Sequence, residues 1–113
     1  MAEMTPEDAA ILAAAMGDDA EEIKAQVASG AASLLRYADG SRIVLRLEAS
    51  AVGQELVIVA GAGAGAREKV AELCDMATGR GWSVRFHTKR PALGRMLEGL
   101  GFTEKERVFI YGG

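Results

Sequence analysis

At 113 residues the chain has the length of one domain, large enough to build a core without disulfide staples. Half of its residues are apolar and 26% are charged, no apolar run approaches the roughly 18 residues of a membrane span, and the net charge of −3 argues against general nucleic-acid binding. One cysteine, Cys74, and one histidine, His87, exclude an internal disulfide and a Cys/His zinc centre.

The charge is unevenly spread. Residues 1–30 carry seven acids against the single base Lys24, a net −6, and the rest of the chain carries +3. This divides one domain, 1–113, into an acidic helical leader (1–30) and a mildly basic body (31–113). Such a body suits an anionic ligand, although two solvated acidic helices explain the same pattern. The opening MAEMTPED has acids where a signal peptide has bases, so a cytoplasmic protein is expected.

Thr5-Pro6-Glu7-Asp8 is a helix start, with a threonine cap, proline at the first helical position and an acid three residues after the cap. The helix should run to Met16 and stop at Gly17. Asp18 or Asp19 should cap a second helix over Glu21 to Ala28, ended by Gly30 in the left-handed conformation. Their alanine-rich faces point to close packing on another element. Two β-prone runs, Ser33 to Ala38 and Ser41 to Glu48, flank Asp39-Gly40, and this pair predicts a hairpin with a tight primed turn. Val52-Gly53 turns the chain again. Leu56 to Ala60 is apolar throughout, as a central strand is.

Glycine-rich Gly61 to Ala66 leads into a helix, Arg67 to Thr78, with Val70, Leu73, Cys74 and Ala77 on one stripe. Cys74 is expected to pack as a small apolar group. Gly79 and Gly81 end the helix. Trp82 to Phe86 should be a strand parallel to the Leu56 strand, the two diverging to leave a cleft. Pro91 opens a last helix with Leu93, Met96, Leu97 and Leu100 inward, and Arg107 to Tyr111 forms the closing strand. The expected fold is α/β (α+β), a mixed central sheet with helices on both faces, in the order α-α-β-β-β-α-β-α-β.

A strand that ends in glycines and passes into a helix presents backbone N–H groups at the positive end of a helix dipole, which is an anion site. Small residues let a pyrophosphate approach the amides, and Arg67 or Lys69 would add charge at the rim. A P-loop NTPase needs lysine and a hydroxyl residue after the last glycine, where this chain has Ala66-Arg67-Glu68. A dinucleotide-binding fold is matched at Gly61, Gly63 and Ala66, but Phe86-His87-Thr88 stand where its ribose-binding acid is required.

A third chemistry is carried by a resemblance. Leu56 to Ala60, Gly61 to Ala66 and Arg67 to Gly79 resemble the fourth strand, pyrophosphate loop and following helix of the GNAT superfamily of N-acetyltransferases. Arg80-Gly81-Trp82 into Val84-Arg85-Phe86 resembles its fifth strand, and Ala92 to Phe102, ending Leu100-Gly101-Phe102, its fourth helix. The resemblance covers about the last 60 residues. It implies acetyl-CoA as cofactor, held through Val59, Gly61, Ala62, Gly63, Ala64, Gly65, Ala66 and Arg67. Valine at Gly65 would then weaken CoA binding about tenfold while leaving the fold intact.

The leading Gln/Arg of the family loop is absent, and Leu97 stands where many members have the tyrosine that protonates the departing thiolate. His87, at a strand end, is the candidate base and Tyr111 the candidate replacement acid, with Tyr37 as a second phenol and Glu48 as a water-linked base. Arg85, Lys89 and Arg90 form a small basic cluster, a candidate for the cofactor's 3′-phosphate or for an acidic partner. Two functions follow. One is an acyl-CoA-binding protein with N-acetyltransferase activity. The other is a catalytically inactive GNAT-like scaffold, similar to trimmed acetyltransferase-like proteins of tailed-phage virions, that uses residues 6–28 to dock a protein partner. A virion location would follow from phage origin. Homo-oligomerisation is left open, and no membrane is implied.

Overall fold

The computed structural model describes residues 3–51, 53–87, 102–105 and 108–111. Helix α1 (Pro6–Met16) begins with the expected capping box: Asp8 N–H donates to Thr5 Oγ1 at 3.1 Å, and Thr5 N–H donates back to Asp8 Oδ2 at 2.9 Å. A single 3₁₀ turn, Gly17–Asp19, joins it to α2 (Ala20–Ser29), which ends at Gly30 with φ +85°. Both stop signals act as the sequence predicts, because glycine reaches positive φ without a Cβ penalty.

Among the described residues six strands form one mixed sheet in the order β1-β2-β3-β4-β6-β5. β1 (Ser33–Arg36), β2 (Arg42–Ser50) and β3 (Gly53–Ala62) are antiparallel neighbours, and β3 pairs parallel with β4 (Ser83–His87) through Leu56↔Val84 and Ile58↔Phe86. β4 then pairs antiparallel with β6 (Val108–Tyr111), and β6 with β5 (Phe102–Lys105). The β5–β6 hairpin differs from the single closing strand read from sequence. Thr103-Glu104-Lys105 has no apolar alternation, and only pairing to β6 makes it a strand. The helix predicted over 91–100 lies outside the described residues.

The parallel crossover runs through α3 (Ala66–Gly79). Helices occupy both faces of the sheet. On one face Val70, Cys74 and Ala77 of α3 pack on Ile43, Leu56, Ile58, Val84 and Phe86; on the other Leu12, Met16, Ile23 and Val27 of α1 and α2 pack on Val44 and Ala60. Adjacent residues Ile43 and Val44 fall into opposite cores because side chains alternate across a strand. Each fully buried Leu or Ile contributes about 1.5–3 kcal/mol to this arrangement.

Between Val44 and Leu45 the β2–β3 register slips: Val44 lies opposite Ala60 and Leu45 opposite Ile58. Val59 is therefore the extra residue of a β-bulge on β3. Beyond it the facing of β3 reverses. Ile58 belongs to the α3 core, yet Ala60 and Ala62 pack toward α1 and α2.

Candidate functional site

The bulge falls where the parallel pair ends. The last β3–β4 pair is Ile58↔Phe86, whereas the ladder on the other edge of β4, with β6, continues one residue further to His87↔Val108. Residues 60–62 continue beside β2, through Ala60↔Val44, Gly61↔Ile43 and Ala62↔Arg42. A bulged strand bends and twists more strongly, and β4 ends at His87, one residue beyond this last pair. The glycine run thus leaves the sheet at the carboxyl end of the parallel pair.

The loop itself makes one turn, Ala66 N–H to Gly63 carbonyl at 3.1 Å, before α3 begins with Lys69 N–H to Gly65 carbonyl at 3.1 Å. Against it stands the tip of the β1–β2 hairpin. This tip is not the two-residue primed turn that Asp39-Gly40 suggests. It is a five-residue loop, 37–41, closed by Gly40 N–H to Tyr37 carbonyl and Tyr37 N–H to Ser41 carbonyl, both at 3.0 Å, with Gly40 at φ +91°. Asp39 serves the turn with its side chain, taking Ser41 N–H on Oδ1 at 2.8 Å.

The extra length lets the tip reach the glycine loop. Gly65 N–H donates to the buried Ser41 Oγ at 3.2 Å. A Cβ on Gly65 would run into the Asp39 carboxylate, 2.9 Å from Cγ, and a Cβ on Gly63 would stand 2.7 Å from Ser41 Cα. Gly63 also sits at φ +112°, where L side chains are strained. The small residues at 63 and 65 therefore make room for the hairpin tip. In this conformation the loop does not fit a pyrophosphate, because an N–H it would use is taken and a carboxylate occupies the approach. Valine at Gly65 therefore requires the exposed Asp39 side chain to swing away from the loop.

Val59, Gly61 and Ala62 lie at the carboxyl end of β3, and a Cβ on Gly61 would meet Ile43 Cγ1 at 3.7 Å and the Arg42 carbonyl oxygen at 3.8 Å, both ordinary contacts. Ala64 and Arg67 are at the exposed surface of the loop and first helical turn. Lys69 is half-buried, over the Tyr37 ring at 5.1 Å and 3.8 Å from Glu72. Burial raises the Tyr37 phenol above its ordinary value, keeping it protonated at neutral pH. His87 ends β4, whereas Tyr111 lies opposite Val84, three positions back along the same ladder. That register separates their backbones by about 10 Å along the sheet.

Glu48 and Arg85 are found elsewhere. Glu48 Oε2 takes Arg46 Nε and Arg85 Nη2, both at 3.1 Å, and Arg85 reaches Glu55 at 3.3 Å. These donors, Arg46 above all, lower the Glu48 pKa and make it a poor base. Lys89, Arg90 and Leu97 lie outside the described residues. Cys74 is buried in the α3 core, and desolvation pushes its thiol up to about 12, so it is a packing residue.

Comparison of the chain with protein-family models, with curated proteins and with solved structures gave no match.

Sequence reading missed what holds the hairpin tip in place. Asp8, 1% exposed, accepts Arg42 Nε at 2.7 Å and Arg36 Nη2 at 2.7 Å; Arg42 Nη1 in turn donates to the Gly40 carbonyl at 2.8 Å. Helix α1 is thereby tied through two arginines to the hairpin, and through the hairpin to the loop. No local pattern announces these partners, which lie 28 and 34 residues from Asp8 in the chain.

Proposed function

We propose that the chain is a GNAT-like acyl-CoA-binding protein with, at most, a weak N-acetyltransferase activity. The observation that carries this reading is the end of the β3–β4 ladder at Ile58↔Phe86, beside the Val59 bulge and just before a glycine loop that enters α3. An extended ligand can lie along the β3 backbone beyond that last pair. With the Asp39 side chain swung out of the loop, the loop amides and the dipole of a 14-residue helix favour an anionic end on that ligand. No catalytic step is assigned, since the hairpin tip stands on the loop. Calorimetric titration with acetyl-CoA tests the reading. Saturable binding with one site per chain is expected, and the absence of saturable heat at millimolar ligand would end it.

A second reading is favoured by the contacts of Asp39 and Ser41 with Gly65. A loop filled by its own hairpin is a structural joint, and the chain would then be an inactive GNAT-like scaffold, such as a virion component. Helices α1 and α2 would carry its partner surface. Their apolar side is spent on the sheet, which leaves Glu7, Glu21 and Glu22 exposed for a basic partner.

A further inference from the structure

We infer that the tip of the β1–β2 hairpin is a built-in clasp over the glycine loop, and that the Asp39 carboxylate and an anionic ligand exclude one another there. The ligand's identity rests on the acyl-CoA reading; the exclusion rests on the hairpin geometry alone. Two contacts at Gly65 carry it. The N–H at the start of α3 is already given to Ser41 Oγ at 3.2 Å, and the volume over the Gly65 Cα is taken by the Asp39 carboxylate, 2.9 Å from a Cβ position to Cγ.

The clasp is also charged. Ser41 gives Asp39 both its hydroxyl and its N–H, and with nearby Lys69 these hold the carboxyl below its ordinary range, so it is ionised at neutral pH. A phosphate entering the loop would meet a full like charge. The inner side of the tip is fixed, with Ser41 wholly buried and the Gly40 carbonyl held by Arg42 at 2.8 Å. Asp39 itself is exposed, so opening needs its side chain to swing into solvent while the hairpin backbone stays.

The test uses inorganic pyrophosphate and coenzyme A as separate probes, titrated into the wild type and into Asp39→Asn at low salt. Asparagine keeps the shape and the acceptor for Ser41 N–H and removes the charge; Asp39→Ala additionally clears the space over Gly65. Both variants should bind pyrophosphate about tenfold tighter or more, and the gain should shrink as added salt screens the charge. Equal or weaker binding of both probes overturns the clasp, as does a variant that binds neither. Pyrophosphate tightened without any coenzyme A binding leaves the clasp standing and removes the acyl-CoA reading. Coenzyme A bound equally by wild type and variants does the reverse.

Discussion

Replacing Asp8 with alanine should cost about 3–5 kcal/mol of stability, a large share of what a domain of this size has. The carboxylate is 1% exposed and does three jobs at once. It closes the α1 capping box with Thr5 N–H at 2.9 Å, takes Arg36 at 2.7 Å, and takes Arg42 Nε at 2.7 Å. The cap alone is worth about 1 kcal/mol. The greater part comes from Arg42, whose side chain is only 10% exposed and would be left as a buried charge with exposed Glu7 at 3.9 Å as its remaining ion-pair partner. Urea denaturation followed by circular dichroism measures the loss. Asp8→Asn, which keeps an acceptor for Thr5, should fall between the two. A loss below about 1 kcal/mol for alanine would mean that water reaches Arg42 and that the pair anchors nothing.

The same carboxylate gives the protein an acid limit. Arg36, then Arg42 and Thr5, hold the Asp8 pKa far below that of an unfolded aspartate. A depressed folded pKa stabilises above the unfolded value and loses that contribution as pH falls toward the folded one. The stability gap between wild type and Asp8→Asn should therefore be constant near neutrality and narrow below about pH 4. A gap that does not change with pH would show that folding leaves the Asp8 pKa at its unfolded value and that the two arginines do not stabilise its charge.

How far the sequence could be read depends on how local each signal is. The capping box, the glycine stops at Gly17 and Gly30, and the α3 stripe of Val70, Cys74 and Ala77 are each written within one turn or one helix, and they stand where expected. The parallel β3–β4 pair also follows from sequence, because strand, helix and strand in succession leave one favoured crossover. Boundaries failed where pairing overrides propensity. β3 extends from Gly53 through the first two residues of the glycine run, since β2 offers partners as far as Arg42, and β5 exists only beside β6. The Val59 bulge left no mark in an apolar run that reads alike in either register. At the candidate site the pattern of the loop was legible but its occupant was not. Asp39 and Ser41 lie 24 or more residues before Gly65, and an Asp-Gly pair announces a turn without saying what that turn will touch.

Gly63→Ala should destabilise the ligand-free protein by about 2–6 kcal/mol, and this result separates a structural requirement for glycine from a ligand's requirement. Two costs combine. An L residue held at φ +112° carries about 1–3 kcal/mol of backbone strain. Its Cβ would also stand 2.7 Å from Ser41 Cα, a backbone atom of a buried residue that cannot rotate away, and relieving that overlap costs a further 1–3 kcal/mol or so. Gly79→Ala is the control, because that glycine ends α3 with nothing within 4 Å of a Cβ and no positive φ; alanine there should be neutral or slightly stabilising. If the glycines served only to admit a pyrophosphate, the unliganded Gly63→Ala protein would melt like the Gly79→Ala control and lose affinity alone. A fall in melting temperature confined to Gly63→Ala, measured without ligand, ties the glycine run to the hairpin tip that leans on it.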